Sequence, residues 1–405
     1  MFKSPRIVQA GCLAALLSVC ATLSACATKQ TAVPPSNSTP NTAPGRAAPP
    51  ASGSQAHNAG MPKALPSIQA GFSRADAGPL RQANGTLVPE IQAFADELSR
   101  TRGIPLEHVE RLLASADYNA TAARLMSPSS TRVRRSWVTY RKRFVEPIRI
   151  RNGVEFWSQH RLALDGAARE YGVPASIIAA IIGVETLYGR HTGNFSVLDA
   201  LTTLGFRYPD AGRPERSQMF RDQLADLIQL DYAGKIDALT AQGSFAGAMG
   251  LPQFMPGSLL RYAADGNGDG KIDLLNNVDD AIFSVARFLR EHGWQRGVPV
   301  FAPVALPSNA QSLVSGGLEP TLDWQTLKER GATRLPSTGN YGTAWQKHRL
   351  GIVDLVDEPR KTVEYRTGTP NFFALTHYNR SYFYAASVAD LAQELANRMK
   401  YDNPY

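Results

Sequence analysis

The sequence predicts a mainly α protein of the α+β class, with a small β portion late in the chain. Three observations lead there. Apolar residues recur at helical spacing from about Leu87 to His292, and the texture then changes to short β-rich runs among turns. The 405 residues, 43% apolar and 19% charged, suit a globular chain with a sizeable core and not a disordered or collagen-like one. No second long uncharged apolar run follows the N-terminus, which excludes a polytopic membrane protein.

Taken in order, residues 1–25 read as a secretory signal. Lys3 and Arg6 precede the apolar run from Ile7 to Leu23, and small residues lead to Cys26. The run is short for a membrane anchor and is broken by Gly11 and Ser18. Leu23-Ser-Ala-Cys26 resembles a bacterial lipobox, which implies cleavage before Cys26 and lipidation of its thiol. Such lipoproteins without Asp at the next position, here Ala27, go to the outer membrane, so a periplasmic, lipid-anchored protein of a Gram-negative bacterium is expected. Cys12 and Cys20 leave with the signal, and the body is then held by its core without an internal disulfide. Losing Lys3 and Arg6 takes the formal charge from +8 to +6, still a balance that favours anionic partners.

Residues 26–85 are rich in Pro, Ser, Thr and Ala, a composition that buries too little surface to offset chain entropy and reads as a flexible tether. Residues 86–405 form the folded unit. Ile91, Phe94, Ala95 and Leu98 space a first helix, and Val109, Leu112 and Leu113 a second with Pro105 in its first turn. Residues 295–370 carry the β-rich portion, where Val298–Val304 and Gly351–Val356 read as strands. A last helix from about Tyr384 to Lys400 carries Ala385, Val388, Leu391, Ala392 and Leu395.

The segment from Pro174 to Gly189 is the most informative. Pro174 suits a helix start and Gly189 a stop, and Glu185 falls in line with Ile177 and Ile181 on the apolar stripe. A carboxylate there either snorkels or pairs with a cation such as Arg190, or it lines a cleft where desolvation raises its pKa and fits it to donate a proton. The pattern alone leaves both readings open.

Gly183-Val-Glu-Thr-Leu-Tyr-Gly189, Leu198-Asp-Ala-Leu-Thr-Thr-Leu204 and Gly243-Ser-Phe-Ala-Gly-Ala-Met-Gly-Leu-Pro-Gln-Phe-Met-Pro256 resemble the membrane-bound lytic murein transglycosylase B family. Ser136–Phe144 upstream and Tyr378-Asn-Arg-Ser381 with Tyr384 downstream fit the same family, in order, from about Val88 to the C-terminus. The resemblance implies a lysozyme-like catalytic core with a helical subdomain, and Glu185 as the one catalytic acid and base. It further implies peptidoglycan contacts from Tyr140, Ser244, Gln253, Tyr378, Asn379 and Tyr384. The implied reaction cleaves the bond between N-acetylmuramic acid and N-acetylglucosamine and closes a 1,6-anhydro ring without water. The family's paired arginines have no clean counterpart, since Pro214 and Glu215 separate Arg213 from Arg216.

Within 265–280, Asp265, Asn267, Asp269, the carbonyl of Lys271, and Asp273 follow EF-hand spacing, with Gly270 at the sharp turn. Asn276 replaces the expected bidentate Glu, which leaves Asp279 or Asp280 to complete a structural calcium site; the chemistry itself calls for no cofactor.

Two other classes compete. A lysozyme-type muramidase would add a second carboxylate, with Asp199 and Asp210 available, and a non-catalytic wall-binding lipoprotein would tolerate loss of Glu185. The basic run Arg132–Arg151 is interleaved with Trp137, Tyr140 and Phe144 at helical spacing, which reads as a solvated helix face and not a nucleic-acid site. A monomer acting on glycan strands, tethered to the outer membrane, is the expected whole.

Overall fold

The structure, a computed structural model, describes residues 79–129, 131–336 and 342–401. The signal 1–25, lipidation at Cys26 and the tether up to residue 78 lie outside the described residues. Ordered packing reaches back into the segment assigned to the tether: Leu80 is buried, and Arg81 bridges Leu87 across a turn in which Gly85 takes φ +86°. Two isolated leucines in a tight turn carry no periodicity, so composition alone hides them.

Helices dominate. α1 (Pro89–Arg102), α2 (Leu106–Ser115) and α3 (Ala120–Met126) open the chain. α4 (Trp137–Phe144), α5 (Pro147–Gln159) and α6 (Arg161–Tyr171) lead to α7 (Ala175–Thr186). α8 (Val197–Phe206) and α9 (Pro214–Tyr232) pack together, and α10 (Pro256–Tyr262) and α11 (Val278–Glu291) follow. α12 (Trp324–Glu329) sits in the β-rich portion, and α13 (Pro370–Tyr378) and α14 (Tyr382–Met399) close the fold. The spacing read for α1 and α2 matches their buried faces, Ile91, Phe94, Ala95 and Leu98 in one and Val109, Leu112 and Leu113 in the other.

α7 is the axis of the main core, with α5, α6, α11 and α14 packed around it. Every residue of α7 except Glu185 is buried. The helix therefore has no polar face, and the stripe read from the sequence is one side of a helix that is apolar all round, as suits an element enclosed by others. It begins after Pro174, which occupies the cap position and not the first turn.

The β portion consists of three two-stranded antiparallel sheets: β1 (Phe195–Ser196) with β2 (Gln242–Gly243), β3 (Val304–Ala305) with β4 (Thr333–Arg334), and β5 (Gly351–Asp357) with β6 (Thr362–Gly368). β5 was expected. The Val298–Val304 run yields only the end of a strand, because Pro299 and Pro303 remove ladder donors. β6 escaped the reading; Val363, Tyr365 and Thr367 do alternate, yet Glu364 and Arg366 stand between them and the run lacks an apolar block. A separate small core centred on Trp345, with Leu327, Leu350 and Ile352, fills this region.

The hairpin also steadies the helical body. Asp357, at the end of β5 and buried, accepts the Ser136 hydroxyl at 2.9 Å and the Val138 N–H at 3.0 Å, which caps α4 from the other side of the chain. Part of the basic run is consumed by internal pairing: Arg132 and Arg135 reach Glu358, and Arg141 reaches Asp390.

Candidate active site

Glu185 lies in the last turn of α7, at the one place where that helix opens. The helix stops there because Leu187 and Tyr188 turn left-handed, at φ +51° and +59°, before Gly189 at φ +84°. Two consecutive non-glycine residues in that region are costly and persist only where the surroundings fix them. The Thr186 hydroxyl is one such constraint, since it accepts the Gly189 N–H at 3.0 Å and lies 3.1 Å from the Leu251 carbonyl. The stop thus comes three residues before the glycine that was expected to make it.

The Tyr188 ring is the other constraint. It tucks back under α7 into a slot that exists only because positions 153 and 183 are glycine: a Cβ would lie 2.2 Å from the Tyr188 Oη at Gly153 and 2.4 Å at Gly183. Phe156 packs on the ring with centroids 5.2 Å apart. Beside it, the buried Arg149 donates from Nε to the Gly183 carbonyl at 2.9 Å, a carbonyl that also accepts the Leu187 N–H at 3.2 Å, and from Nη1 to the Arg143 carbonyl.

Three tyrosines face the carboxylate. Tyr384 donates its hydroxyl to Glu185 Oε1 at 2.6 Å. Tyr378 stacks on Tyr384 with ring centroids 6.3 Å apart, and its hydroxyl donates to the Pro252 carbonyl at 2.6 Å. Tyr140 packs against Phe144 and Phe383. Burial and then the Glu185 charge push the Tyr140 and Tyr378 phenols well above their ordinary range, and the same two causes lead at Tyr384. All three are therefore neutral donors. Local structure sets each one: Ser136 caps the helix of Tyr140, Tyr378 ends α13, and Ser381 caps α14 by accepting the Tyr384 N–H at 3.3 Å.

Glu185 itself is raised from 4.5 to about 7, because burial disfavours the anion and the Tyr384 hydrogen bond only partly offsets it. Arg190 is not its partner, and no second carboxylate contributes to its shift. Asp199 and Asp210 serve elsewhere, accepting the backbone N–H of Asp117 and of Gly212 respectively.

The remaining expected contacts divide. Ser244 is buried, and its hydroxyl accepts the Ala246 and Ala248 N–H groups, so it shapes the loop. Gln253 stands at φ +50° and donates its amide to the Thr192 and Gly250 carbonyls, tying the loop after α7 to the 243–256 segment. Asn379 sits half-buried between Tyr378 and Ser381, and its carbonyl accepts the Ser381 N–H at 2.6 Å. Tyr188, Gly153 and Arg149 were not singled out from the sequence. Gly153 and Gly183 lie thirty residues apart, and no local pattern announces a ring between them.

A family model described as the transglycosylase SLT domain matches residues 87–393. The chain belongs to that family. Its resemblance to the lytic transglycosylases, read from the motifs, is thereby borne out, and the protein is a lytic transglycosylase by kinship. The membrane-bound lytic murein transglycosylase B of Escherichia coli (strain K12) is 37% identical over 317 residues, covering 76% of this chain and 83% of that protein. The soluble lytic transglycosylase SltB1 of Pseudomonas aeruginosa is similar in structure at a TM-score of 0.68 and 39% identity, over 77% of this chain and 100% of that one. The Escherichia coli lytic transglycosylase SLT35 in complex with calcium is similar at a TM-score of 0.65 and 35% identity, over 76% of this chain and 93% of that one. The mainly α, lysozyme-like architecture expected from the sequence agrees with these structures.

In this transglycosylase the loop 265–280 is closed by its own amides. Asp265 accepts the Gly268 and Gly270 N–H groups at 2.7 and 2.8 Å. Asp280, fully buried, takes the Gly266 N–H on one oxygen and the Asp273 N–H on the other, both at 2.7 Å. Among the described residues, no three His, Cys, Asp or Glu side chains converge as a metal cluster. A hard cation would therefore depend on the Asn267 amide oxygen and the Lys271 carbonyl as well. The donor chemistry fits: all the groups are oxygens, and a carboxylate oxygen that accepts one N–H keeps a lone pair.

Proposed function

We propose that the protein cleaves peptidoglycan between N-acetylmuramic acid and N-acetylglucosamine, with Glu185 as the single acid and base and a 1,6-anhydromuramic acid end as product. The observation that carries this is a carboxyl raised to about 7 among neutral tyrosines, with no second carboxylate among the causes of its shift. An acid of that pKa is half-protonated near neutral pH and suited to donate a proton to a leaving oxygen.

The Tyr384 hydroxyl occupies Oε1, which leaves Oε2 to carry the proton. Glu185 gives that proton to the glycosidic oxygen as the bond to the muramyl anomeric carbon breaks. The substrate's own N-acetyl group stabilises the positive intermediate. Glu185, now anionic, takes the proton of the muramyl six-hydroxyl, whose oxygen bonds to the anomeric carbon. The enzyme ends protonated as it began, and no water enters. Tyr140 and Tyr378, together with Asn379 and Gln253, wall the cleft and orient the sugars.

Calcium, where bound, is held by Asp265, Asn267, Asp269, the Lys271 carbonyl and Asp280, and it firms the 265–280 loop without entering the chemistry. The kinship with a membrane-bound relative and the signal and lipobox pattern support a lipid-anchored protein at the periplasmic face of the outer membrane.

The test is digestion of purified peptidoglycan by the full chain and by Glu185→Gln, with released muropeptides weighed by mass spectrometry. Anhydro-muramyl products from the parent alone are expected. Products heavier by one water would make the enzyme a hydrolase, and no release from either would leave a wall-binding lipoprotein.

A further inference from the structure

His292 and His377 belong to no step of the proposed reaction, yet they stand directly behind its cleft wall. His292 caps the end of α11, and His377 lies in the last turn of α13, one residue before Tyr378. Their ring centroids are 4.8 Å apart, with the planes tilted by 37°.

The surrounding rings close a circuit. His292 stacks on Phe288 at 4.0 Å and meets Tyr262 edge-on at 4.9 Å. Phe288 meets the Tyr378 ring edge-on at 4.9 Å, and Phe254 packs on both, at 5.5 and 5.9 Å. One peptide bond leads from Tyr378 back to His377. The imidazole pair therefore fastens the end of α13 to the end of α11 at the point where Tyr378 turns into the cleft. Tyr378 in turn stacks on Tyr384, the donor to Glu185, while its own hydroxyl holds the Pro252 carbonyl.

The pair is built to be neutral. His292 Nδ1 lies 2.7 Å from the Phe288 carbonyl oxygen, an acceptor only, so Nδ1 carries the proton of the neutral ring and Nε2 is bare. Burial leads in holding His292 below the ordinary imidazole range; the Phe288 carbonyl and Glu291 offset it, and His377 and Arg261 add to it. Burial also leads at His377, with Arg380 adding to it and Glu319 offsetting it. The charged groups facing the pair are thus Arg261 from α10, Glu291 from α11, Arg380 after α13 and Glu319 from the loop before α12. Two of each sign leave a pair of imidazolium charges uncompensated.

We propose that His292 and His377 are positioning residues for Tyr378, holding it against Tyr384 while both rings are neutral and releasing it when both are protonated. Its activity readout rests on Glu185 being the catalytic acid. Two like charges at this spacing in largely aqueous surroundings shift an equilibrium by about fivefold, enough to loosen a helix end without undoing the fold. The pH profile then has two limbs with different owners. Glu185 sets the alkaline limb, and the pair sets an acid limb below the ordinary imidazole value of 6.5.

The experiment follows peptidoglycan turnover by the full chain, and by His377→Gln and His292→Gln, across the range spanned by both limbs. In parallel, histidine and tyrosine ring resonances of the full chain are recorded by NMR over the same range. Parent turnover is expected to fall by about fivefold on the acid side, in a step steeper than one proton because the two sites titrate as a pair. Each Gln variant is expected to flatten that limb and to leave the alkaline limb where it is. The Tyr378 ring resonances are expected to follow the histidine titration in the parent and to stay fixed in His377→Gln, an exposed site whose substitution spares the core. An acid limb that persists in both variants overturns the proposal, as does a Tyr378 resonance that ignores the histidines. A loss of turnover equal at every pH marks a merely structural role and overturns it too. Turnover absent at every pH, with Tyr378 still following the histidines, overturns the catalytic reading alone.

Discussion

Glu185 and the carboxylates of the 265–280 loop are the same chemical group prepared in opposite ways. Glu185 stands at the end of an otherwise buried helix and faces hydroxyls, and burial lets it hold a proton up to about pH 7. Asp269 accepts the Asn267 amide at 2.9 Å and the Lys271 N–H at 2.8 Å, and these hold it below the usual carboxylate range. Asp280, fully buried, has both its oxygens met by N–H groups. Burial without N–H donors raises Glu185, and N–H donors without burial lower Asp269.

The largest effect that would break this contrast is at Glu185. Glu185→Gln should lower turnover of glycan by at least about a hundredfold, the smaller end of what a positioned acid contributes. Parent activity should also fall as pH rises through about 7, where the acid loses its proton. Stability carries the matching sign. Because the folded pKa lies above the unfolded value of 4.5, the folded state binds more protons between the two, so stability falls as pH rises from 4.5 to about 7. The loss is at most on the order of 3 kcal/mol, reduced by cleft water, and Glu185→Gln should abolish this slope in thermal melts across that window. A parent melting curve flat in pH would show that Glu185 is an ordinary surface acid.

Next comes the slot under the helix. Gly183→Ala drives a methyl into Tyr188 and should cost about 1–3 kcal/mol by denaturant titration, with a fall in kcat as the helix end shifts. Parent-like stability and activity would mean the left-handed turn is held by something else. In the loop, Asp280→Asn replaces two charge-assisted acceptors and should cost about 1–2 kcal/mol without moving the pH limb of activity. A moved limb would couple two regions described here as separate. The smallest effect is at Tyr384. Tyr384→Phe removes the one hydrogen bond that lowers the Glu185 pKa, so the alkaline limb should move upward while kcat falls.

The two regions also differed in how far they could be read in advance. The loop was legible because its donors sit within one contiguous segment, where spacing is geometry. The helix of Glu185 was legible in kind from its isoleucines. Its end was not, because the left-handed turn at Leu187 and Tyr188 depends on Gly153, contributed by another helix. Ser244 illustrates the limit of reading side-chain chemistry from type: a hydroxyl suited to sugars is spent on two amides of its own loop. β6 was missed for a related reason, since Glu364 and Arg366 are spent on Trp137 and Asp390, and a strand carrying them has no apolar signature. The tyrosines around Glu185 were named by family motif, but that they gather on one carboxylate follows only from the packing of α4, α13 and α14.

The Tyr384–Glu185 hydrogen bond closes across 199 residues of chain, and the Ser136–Asp357 contact behind Tyr140 across 221. Contacts of such long sequence separation are slow to form and late to be rewarded. The raised pKa comes from burial, and the final helix packs directly on the helix that bears the glutamate, so the shift is a property of the finished fold. A chain emerging N-terminus first therefore carries an ordinary acid at position 185 until its final helix docks, and on the proposed role of Glu185 the completion of folding is what arms the enzyme.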